Sequence, residues 1–147
     1  MNFKIIILLT IFIYGCSSER PKNLGIKLNH LNSCNKKNCV SSTNASTDDS
    51  FIEPIKMIEP IEVAQEKLSK IILKNKQAKI INLNPSYIYA EFTSSVFQFV
   101  DDVEFHLSKT SKKIFIRSAS RTGKYDFGVN RKRIEEIRFK YHQNDVN

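Results

Sequence analysis

Two carboxylates and two guanidinium groups are the side chains whose types and spacing best suit catalysis in this sequence. Asp101 and Asp102 are neighbours, and Arg117 and Arg121 follow on the next predicted strand. Two carboxyl groups in different environments can divide the roles of general acid and general base, and an arginine beside them can bind an anionic substrate. The same four residues could instead form a salt bridge that fixes strand register, and the sequence leaves both interpretations open.

Asp101 occupies an unusual position in its predicted strand. It falls on the apolar side, between Phe99 and Val103. Either a β-bulge at this point turns its side chain outward, or the carboxylate is buried and needs a cationic partner. Arg117 and Arg121 are the partners that the sequence predicts.

A second polar region leads into the last predicted helix. Residues 117–121 read Arg-Ser-Ala-Ser-Arg, and Gly123 and Gly128 then precede Asn130 and Arg131. Backbone N–H groups at a helix N terminus and arginine side chains both bind anions, so an anion site is expected here. The predicted polar or anion site consists of Asp101, Asp102, Arg117, Ser118, Ser120, Arg121, Asn130 and Arg131. In the alternative interpretation, the glycines only form a turn and the basic helix residues are solvated.

Cys34 and Cys39 are separated by four residues in a segment with few apolar side chains. In an oxidising compartment, this spacing predicts a disulfide between them. The sequence lacks the Cys-x-x-Cys-His pattern of haem attachment, and the pair lacks the Cys-x-x-Cys spacing of redox-active thiols. The three histidines are scattered without metal-ligand spacing. We therefore predict neither a metal site nor a cofactor.

The start of the sequence has the organisation of a bacterial lipoprotein signal. Lys4 precedes an apolar run over residues 5–14, which suits a signal peptide and is too short to span a bilayer. Gly15 and Cys16 then resemble the end of a lipobox, in which the cysteine receives acyl chains such as palmitate. We predict a signal peptide over residues 1–15 and lipid attachment at Cys16; ordinary secretion and an uncleaved anchor are the alternatives. The predicted location is the cell envelope, facing the periplasm, and Ser17 in place of aspartate favours the outer membrane over the inner.

Basic charge is concentrated in the second half of the chain. The formal net charge is +8, and residues 109–140 contain 11 basic and 3 acidic residues. A basic surface attracts anions. Outside the cytoplasm, the expected partners are anionic lipid, polysaccharide or a small anion, beside the membrane that holds the lipid anchor. Nucleic acid is not an expected partner, and the sequence points to no particular protein partner.

Hydrophobic periodicity predicts a single α+β domain over residues 51–142. Residues 60–74 and 130–141 have helical periodicity, with Asn130 as the N-cap of the second helix. Strands are predicted near Ile55 and over residues 78–83, 87–93, 97–107 and 113–120, and the strand over 97–107 alternates as a half-buried strand does. The order β-α-β-β-β-β-α predicts an antiparallel sheet of about four to five strands packed against two helices. A lipid-anchored tether and irregular arm (16–50) is expected before this domain, and a disordered tail (143–147) after it.

Three stretches of the chain together resemble a known family. They are residues 38–42 (Asn-Cys-Val-Ser-Ser), residues 90–94 (Ala-Glu-Phe-Thr-Ser) with 99–105 (Phe-Val-Asp-Asp-Val-Glu-Phe), and residues 117–121 with 128–133 (Gly-Val-Asn-Arg-Lys-Arg). Their order and spacing resemble the bacterial and plastid family called domain of unknown function 1499, from about Arg20 to Tyr141. The resemblance implies that the cysteine pair, the two aspartates and the polar residues after them form one motif set. It implies no activity, cofactor or ligand.

Three functions are compatible with these features. The first is a non-enzymatic envelope lipoprotein that binds an anionic ligand or envelope surface through its basic half. The second is a hydrolase or transferase that uses Asp101 or Asp102 beside Arg117 and Arg121. The third is a structural protein that docks to an envelope partner. Carboxylates and arginines that converge in a cleft would favour a ligand site, whereas burial between strands would favour a structural role.

Overall fold

The computed structural model describes residues 19–43, 45 and 47–143. Within these residues the chain forms six strands, two α-helices and a short 3₁₀ helix at Asp48–Ser50. The strands and α-helices are β1 (Cys39–Ser41), β2 (Ile55–Lys56), α1 (Ile61–Leu73), β3 (Ala78–Asn84), β4 (Tyr87–Thr93), β5 (Val100–Ser108), β6 (Lys113–Ser120) and α2 (Val129–Gln143). The predicted α+β class is confirmed, and the sheet has one strand more than the predicted order because β1 was not anticipated.

Some of the predicted features lie outside the described residues. These are the signal peptide (1–15), the lipid-attachment residue Cys16 and residues 144–147 of the predicted tail. Gln143, the first residue of that tail, belongs to α2. Among the described residues, neither helix is long and apolar enough to cross a membrane.

The strands form one antiparallel sheet in the order β1-β6-β5-β4-β3. β1 pairs with β6 at Arg117–Ala119, and β2 pairs with the other end of β6 at Lys113 and Ile114. These two short strands together cover one edge of the sheet, so that β6 is not left as a bare edge. The predicted strand near Ile55 is therefore confirmed as β2, whereas β1 is formed by residues of the predicted irregular arm.

Both helices pack on one face of the sheet. In α1, Ala64, Leu68, Ile71 and Ile72 recur at helical spacing and are buried. They meet the apolar side of β4, β5 and β6 in one continuous core. That core includes Ile88, Ala90, Phe92, Val103, Phe105, Leu107, Ile114, Ile116, Ile134, Ile137 and Tyr141. The prediction that the apolar face of the strands meets helices is confirmed.

The N terminus of α2 is capped by a residue other than the predicted one. The carboxylate of Asp126 accepts hydrogen bonds from the backbone N–H groups of Gly128 (3.2 Å) and Asn130 (2.9 Å). Asn130 was predicted as the N-cap, but it lies inside the helix and its buried side chain bonds to other side chains. The prediction was wrong because Asp126 lies before Gly128, whose positive φ of 77° turns the chain into the helix.

The strand predicted over residues 97–107 begins later than expected, at Val100. Gln98 has a φ of 55°, which is incompatible with a strand, and the Ser94 hydroxyl accepts a hydrogen bond from the Phe99 N–H at 2.9 Å. Residues 94–99 therefore form a loop. Phe97, expected on the buried face, has 70% of its surface exposed, and Phe99 has 48%.

The second face of the sheet is covered by residues 19–38, called here the N-terminal segment. Leu24, Ile26 and Leu31 pack against Tyr87 and Tyr89 of β4. The polar side of β5, predicted to face solvent as part of a half-buried strand, is consequently buried. Asp102, Glu104 and His106 are 1%, 0% and 8% exposed. The half-buried prediction was wrong because it took no account of a covering segment from a distant part of the chain.

Candidate functional site

The sheet divides the predicted site residues between its two faces. Asp101 lies opposite Ser120 in the register of β5 and β6, whereas Asp102 lies opposite Ala119 and Glu104 opposite Arg117. Successive side chains along a strand point to opposite faces. The side chains of Asp101, Ser118, Ser120 and Asn130 therefore meet on the helix side, and those of Asp102, Arg117 and Arg121 meet under the N-terminal segment.

On the helix side, Asp101 is paired with Arg133. The Arg133 Nη2 atom lies 2.6 Å from Asp101 Oδ2, and the guanidinium stacks over the Phe92 ring at 4.7 Å from its centroid. The prediction that a buried Asp101 needs a cationic partner is confirmed. The predicted partners, Arg117 and Arg121, are wrong because they extend from the opposite face. The alternative of a bulge is also excluded, since β5 keeps regular pairing through this residue on both sides.

Asn130 connects α2 to this ion pair and to the sheet. Its Oδ1 accepts hydrogen bonds from Ser118 Oγ and from Arg133 Nη1, the latter at 2.8 Å. Its Nδ2 donates to Ser120 Oγ at 3.0 Å and to the Asn38 carbonyl oxygen at 3.2 Å. Because each polar atom of this buried amide has a protein partner, Asn130 fixes α2 on β6.

Arg131 lies apart from the other predicted site residues. Its Nη2 atom donates to the carbonyl oxygens of Asp49 (2.8 Å) and Phe51 (2.7 Å). Arg138, two turns further along α2, donates in the same way to the carbonyl oxygens of Glu53 and Pro54. Arg131 and Arg138 thus hold the chain between the 3₁₀ helix and β2.

Under the N-terminal segment, Glu104 is the most buried carboxylate. Its Oε1 accepts hydrogen bonds from the Gly25 N–H and the Tyr87 hydroxyl, both at 2.7 Å. Its Oε2 lies 3.1 Å from Nη1 of Arg117, and its side chain is 0% exposed. A buried charge with this set of donors is stabilised, whereas the same charge without them would be strongly destabilising.

A second ion-pair group lies beside Glu104. Arg121 donates to both Oδ atoms of Asp102, at distances between 2.7 and 3.1 Å, and also to Glu91. The Tyr89 hydroxyl oxygen lies 2.6 Å from Asp102 Oδ1 and 3.0 Å from Glu91 Oε1, so its single hydrogen is shared between the two carboxylates. Arg20 of the N-terminal segment closes the group through a 2.6 Å contact of its Nε with Glu91. The N-terminal segment is therefore held on the sheet by charge pairing as well as by its apolar residues.

The pKa of Glu91 is set by these contacts. Burial acts to raise it, but hydrogen bonds from Arg20, Arg121 and Tyr89 outweigh burial and lower the pKa from 4.5 to about 2. The pKa of the Tyr89 hydroxyl is raised by burial and by its hydrogen bond to Asp102. The tyrosine thus stays protonated as a donor, and Glu91 stays ionised well below neutral pH.

Acidification should consequently destabilise the protein through Glu91. A carboxyl group whose pKa is lower in the folded than in the unfolded state stabilises the fold above its unfolded value of 4.5, and this stabilisation is lost as the pH falls towards the folded value of about 2. We expect Glu91→Gln to reduce the slope of unfolding free energy against pH between these two values. Urea denaturation at several pH values measures the slope, and parallel profiles for the variant and the unchanged protein would contradict the assignment.

A polar cavity of about 220 Å³ lies between the N-terminal segment and the β1–β6 side of the sheet. Its lining includes Lys36, Asn38, Cys39, Arg117 and Arg121. Two buried polar atoms of these residues, Arg117 Nε and Asn38 Oδ1, have no hydrogen-bond partner among the described residues. Buried polar atoms are nearly always paired, so these two distinguish the cavity from the satisfied ion pairs beside it.

The wall of this cavity is fixed by a disulfide. Cys34 and Cys39 are bonded, as predicted, and their Cα atoms are 5.5 Å apart. Both side chains are buried against Ala119 of β6. Between them, the Nδ2 group of Asn38 donates to the carbonyl oxygens of Thr122 (3.2 Å) and Gly123 (2.8 Å). The disulfide and this amide together hold the loop of residues 34–39 against the end of β6.

A family model described as a protein of unknown function, DUF1499, matches residues 30–140. The chain belongs to the DUF1499 family. None of the curated proteins matches it. The matched part contains the disulfide, both aspartates, Arg117 and Arg121, whereas Arg20 and Gly25 precede it.

In this DUF1499 protein, Asp101 and Asp102 are not placed to act together as general acid and general base. Asp101 and Asp102 face opposite sides of the sheet, and each is paired with a different arginine. Two carboxylates separated by a sheet cannot act on the two sides of one scissile bond. Among the described residues, no group of three or more His, Cys, Asp or Glu side chains is placed to hold a metal ion.

A second cleft opens on the helix side of the DUF1499 fold. It measures about 470 Å³ and has the Asp101–Arg133 pair at its base. Its walls are aromatic and belong to the loop before β5 and the loop before α2. The lining aromatic residues are Phe92, Phe97, Phe99, Tyr125 and Phe127.

Several residues of the polar groups on the two faces of the sheet were not predicted from the sequence. Arg133 was noted only as part of a basic run, although it lies one helical turn after Asn130 and so shares its face. Glu104 was placed on the polar side of β5, but its burial could not be inferred without the N-terminal segment. Arg20 and Asn38 lie in the predicted arm and were noted only as part of the family resemblance, without a predicted contact.

Proposed function

We propose that this protein is a non-enzymatic, lipid-anchored module of the cell envelope that binds a small anion in the cavity beneath its N-terminal segment. The observation that carries the proposal is the Arg117 Nε atom, a buried cationic donor that has no partner among the described residues. Arginine binds anions through several N–H groups at once. Glu104 engages one of these through Nη1, and Nε is left for a ligand.

The charges around the cavity support an anionic ligand. Lys36, Arg117 and Arg121 line it, against the single carboxylate of Asp102. Arg121 is engaged by Asp102 and Glu91, so Arg117 and Lys36 supply the donors for the ligand. Lys36 is exposed at the cavity, where it can approach an anion without the cost of burial.

The second unpartnered atom narrows the chemistry of the ligand. Asn38 Oδ1 is an acceptor, so its partner must carry a hydrogen-bond donor. Hydrogen phosphate offers charged oxygens to Arg117 and an O–H group to Asn38, whereas sulfate has no donor at neutral pH. The cavity of about 220 Å³ has room for an anion of this size with a few water molecules, each of which occupies roughly 30 Å³. A hydroxylated or protonated oxyanion is therefore the proposed class.

The envelope location rests on the residues at the start of the chain. The signal-like run over residues 5–14 and Cys16 after Gly15 favour export followed by lipid attachment. The Cys34–Cys39 disulfide supports an oxidising compartment, because such bonds rarely persist in the cytosol. Mass spectrometry of the protein extracted from its membrane tests this part, and an intact Met1 with an unmodified Cys16 would contradict it.

Binding of inorganic phosphate tests the ligand site. Isothermal titration should show that phosphate binds more tightly than sulfate, since only phosphate can donate to Asn38. Lys36→Glu should weaken phosphate binding by about five- to tenfold, because it replaces an attractive charge at the cavity with a repulsive one. Lys109→Glu, at an exposed lysine outside the cavity lining, makes the same change in net charge and is the matched control. Equal affinity for the two anions, or equal effects of the two substitutions, would refute the proposed site.

A further inference from the structure

Two loops at one end of the sheet carry several exposed apolar side chains. Residues 94–99 connect β4 to β5, and residues 121–128 connect β6 to α2. Val100 of β5 follows the first loop, and Ser120 of β6, which pairs with Asp101, precedes the second. Both loops therefore leave the sheet at the same end, and together they are called here the aromatic loops.

The aromatic loops expose side chains that water solvates poorly. Phe127 is 99% exposed and Val96 79% exposed. Phe97 and Phe99 stack on each other with centroids 5.5 Å apart, and Tyr125 is also exposed. Large exposed apolar groups that cluster in this way indicate an interaction surface, whereas single ones do not.

Basic groups lie among these apolar side chains. Lys124 belongs to the second loop, and Lys37 places its Nζ 5.5 Å from the centroid of the Tyr125 ring. Lys132 is exposed in the first turn of α2. The one acidic residue of the second loop, Asp126, is engaged in capping that helix. Aromatic tips surrounded by lysines match the chemistry of an anionic bilayer surface, where rings enter the headgroup region and cations contact phosphates.

The route of the chain towards Cys16 places a membrane at the same end. Arg20 contacts Glu91, which pairs with Asp102 near the ends of β4 and β5 from which the first loop leaves. Cys16 precedes Arg20 by four residues. Four residues span at most about 14 Å, so acyl chains on Cys16 would hold the bilayer within that distance of the Arg20 backbone. A lipid anchor therefore brings this end of the sheet towards the membrane.

We propose that the aromatic loops insert into the headgroup region of an anionic bilayer, so that the lipoprotein is held at its membrane in one orientation. The inference rests on the lipid anchoring in the proposed function and adds a second contact to it. One anchor alone would leave the domain free to rotate, whereas an anchor and an inserted patch fix its orientation. The mouth of the aromatic cleft, which the aromatic loops line, then faces the lipid.

Tryptophan fluorescence provides a direct test, because the chain contains no tryptophan. Phe127→Trp in the full-length lipidated protein introduces a single reporter at the tip of the second loop. The protein is reconstituted in vesicles of phosphatidylcholine and phosphatidylglycerol, with or without bromine on the acyl chains. Phe139→Trp is the matched control, because Phe139 is also an exposed phenylalanine, 63% accessible, but lies on the outer side of α2.

Bromine should quench the fluorescence of the Phe127→Trp protein by about half or more, and that of Phe139→Trp by about a tenth or less, because quenching requires contact with the lipid. Equal quenching of both, or none of Phe127→Trp in protein that mass spectrometry shows to be lipidated at Cys16, overturns the inference and leaves the proposed anchoring standing. Quenching of Phe127→Trp in protein with an unmodified Cys16 supports insertion of the aromatic loops but refutes the anchoring, and with it the orientation that depends on the anchor. Absence of both quenching and lipidation refutes both.

Discussion

Replacement of Glu104 by glutamine should lower the free energy of unfolding by about 3 to 5 kcal/mol, the range for breaking a buried ion pair. Glutamine keeps the shape of the side chain but has only one acceptor oxygen. The Gly25 N–H and the Tyr87 hydroxyl donate to one carboxylate oxygen, and Arg117 donates to the other. One of these donors must then face the NH₂ group of the variant, and the charge of Arg117 loses its buried partner.

Urea denaturation at neutral pH measures this loss. Glu136→Gln is a suitable control, because Glu136 is exposed on α2 and its replacement should change the unfolding free energy by less than about 0.5 kcal/mol. The double variant Glu104→Gln/Arg117→Met should recover part of the stability, since it removes the unpaired cation as well. A midpoint of Glu104→Gln within the error of the unchanged protein would show that the carboxylate is not an essential partner of the N-terminal segment.

The sequence predicted those parts of the fold that local periodicity determines. The strand over residues 113–120 and the helix beginning near Ile61 have the predicted bounds to within a residue. The apolar side of β5 was also predicted correctly at Val103, Phe105 and Leu107. In these elements the residues that pack together recur at a fixed spacing, and so the pattern alone identifies the buried face.

The pairing partner of Asp101 was predicted incorrectly because it depends on strand register. The register of β5 and β6 places Ser120 opposite Asp101 and leaves Arg117 and Arg121 on the other face. A shift of one residue in the connecting turn would have brought an arginine to the Asp101 side. Register is a tertiary property of the sheet, and the composition of the turn does not fix it. Arg133 takes the position instead because α2 crosses this end of the sheet.

The burial of the second face of the sheet could not be predicted from local sequence periodicity either. The N-terminal segment has four leucine or isoleucine residues, Leu24, Ile26, Leu28 and Leu31, and Leu28 is 95% exposed whereas the other three pack on the sheet. Its polar contacts with the sheet include those of Arg20 with Glu91 and of Gly25 with Glu104. Such contacts join residues that are far apart in the sequence, so they can be identified only from the three-dimensional structure. The candidate cavity lies between this segment and the sheet, so it could not be predicted for the same reason.

The interactions that stabilise packing consequently differ between the two faces of the sheet. On the helix side, burial of aliphatic and aromatic side chains stabilises the packing. Under the N-terminal segment, a smaller apolar cluster is joined by paired charges and tyrosine hydroxyls, whose network of hydrogen bonds fixes the position of the segment. A binding site for a small polar ligand is more readily formed on the second face, where an unpartnered donor such as Arg117 Nε is already enclosed.

Loss of the Cys34–Cys39 disulfide should affect both the stability of the protein and its affinity for phosphate. The bond closes a short loop, with a sequence separation of 5, for which chain entropy gives a stabilisation of about 2 kcal/mol. The double variant Cys34→Ser/Cys39→Ser should therefore unfold at a lower urea concentration. Phosphate binding should weaken by about tenfold, because Asn38 and Cys39 line the cavity and would have to be ordered when the ligand binds.

Reduction of the unchanged protein by dithiothreitol should reproduce both effects, which separates the role of the bond from that of the serine substitutions. Since Glu104 and its partners are distant in sequence from the loop, the double variant should still fold cooperatively. If the affinity for phosphate were the same with and without the bond, the loop of residues 34–39 would not contribute to the ligand site. The anion would then have to be held by the sheet alone, through Arg117, whose contact with Glu104 does not depend on the disulfide.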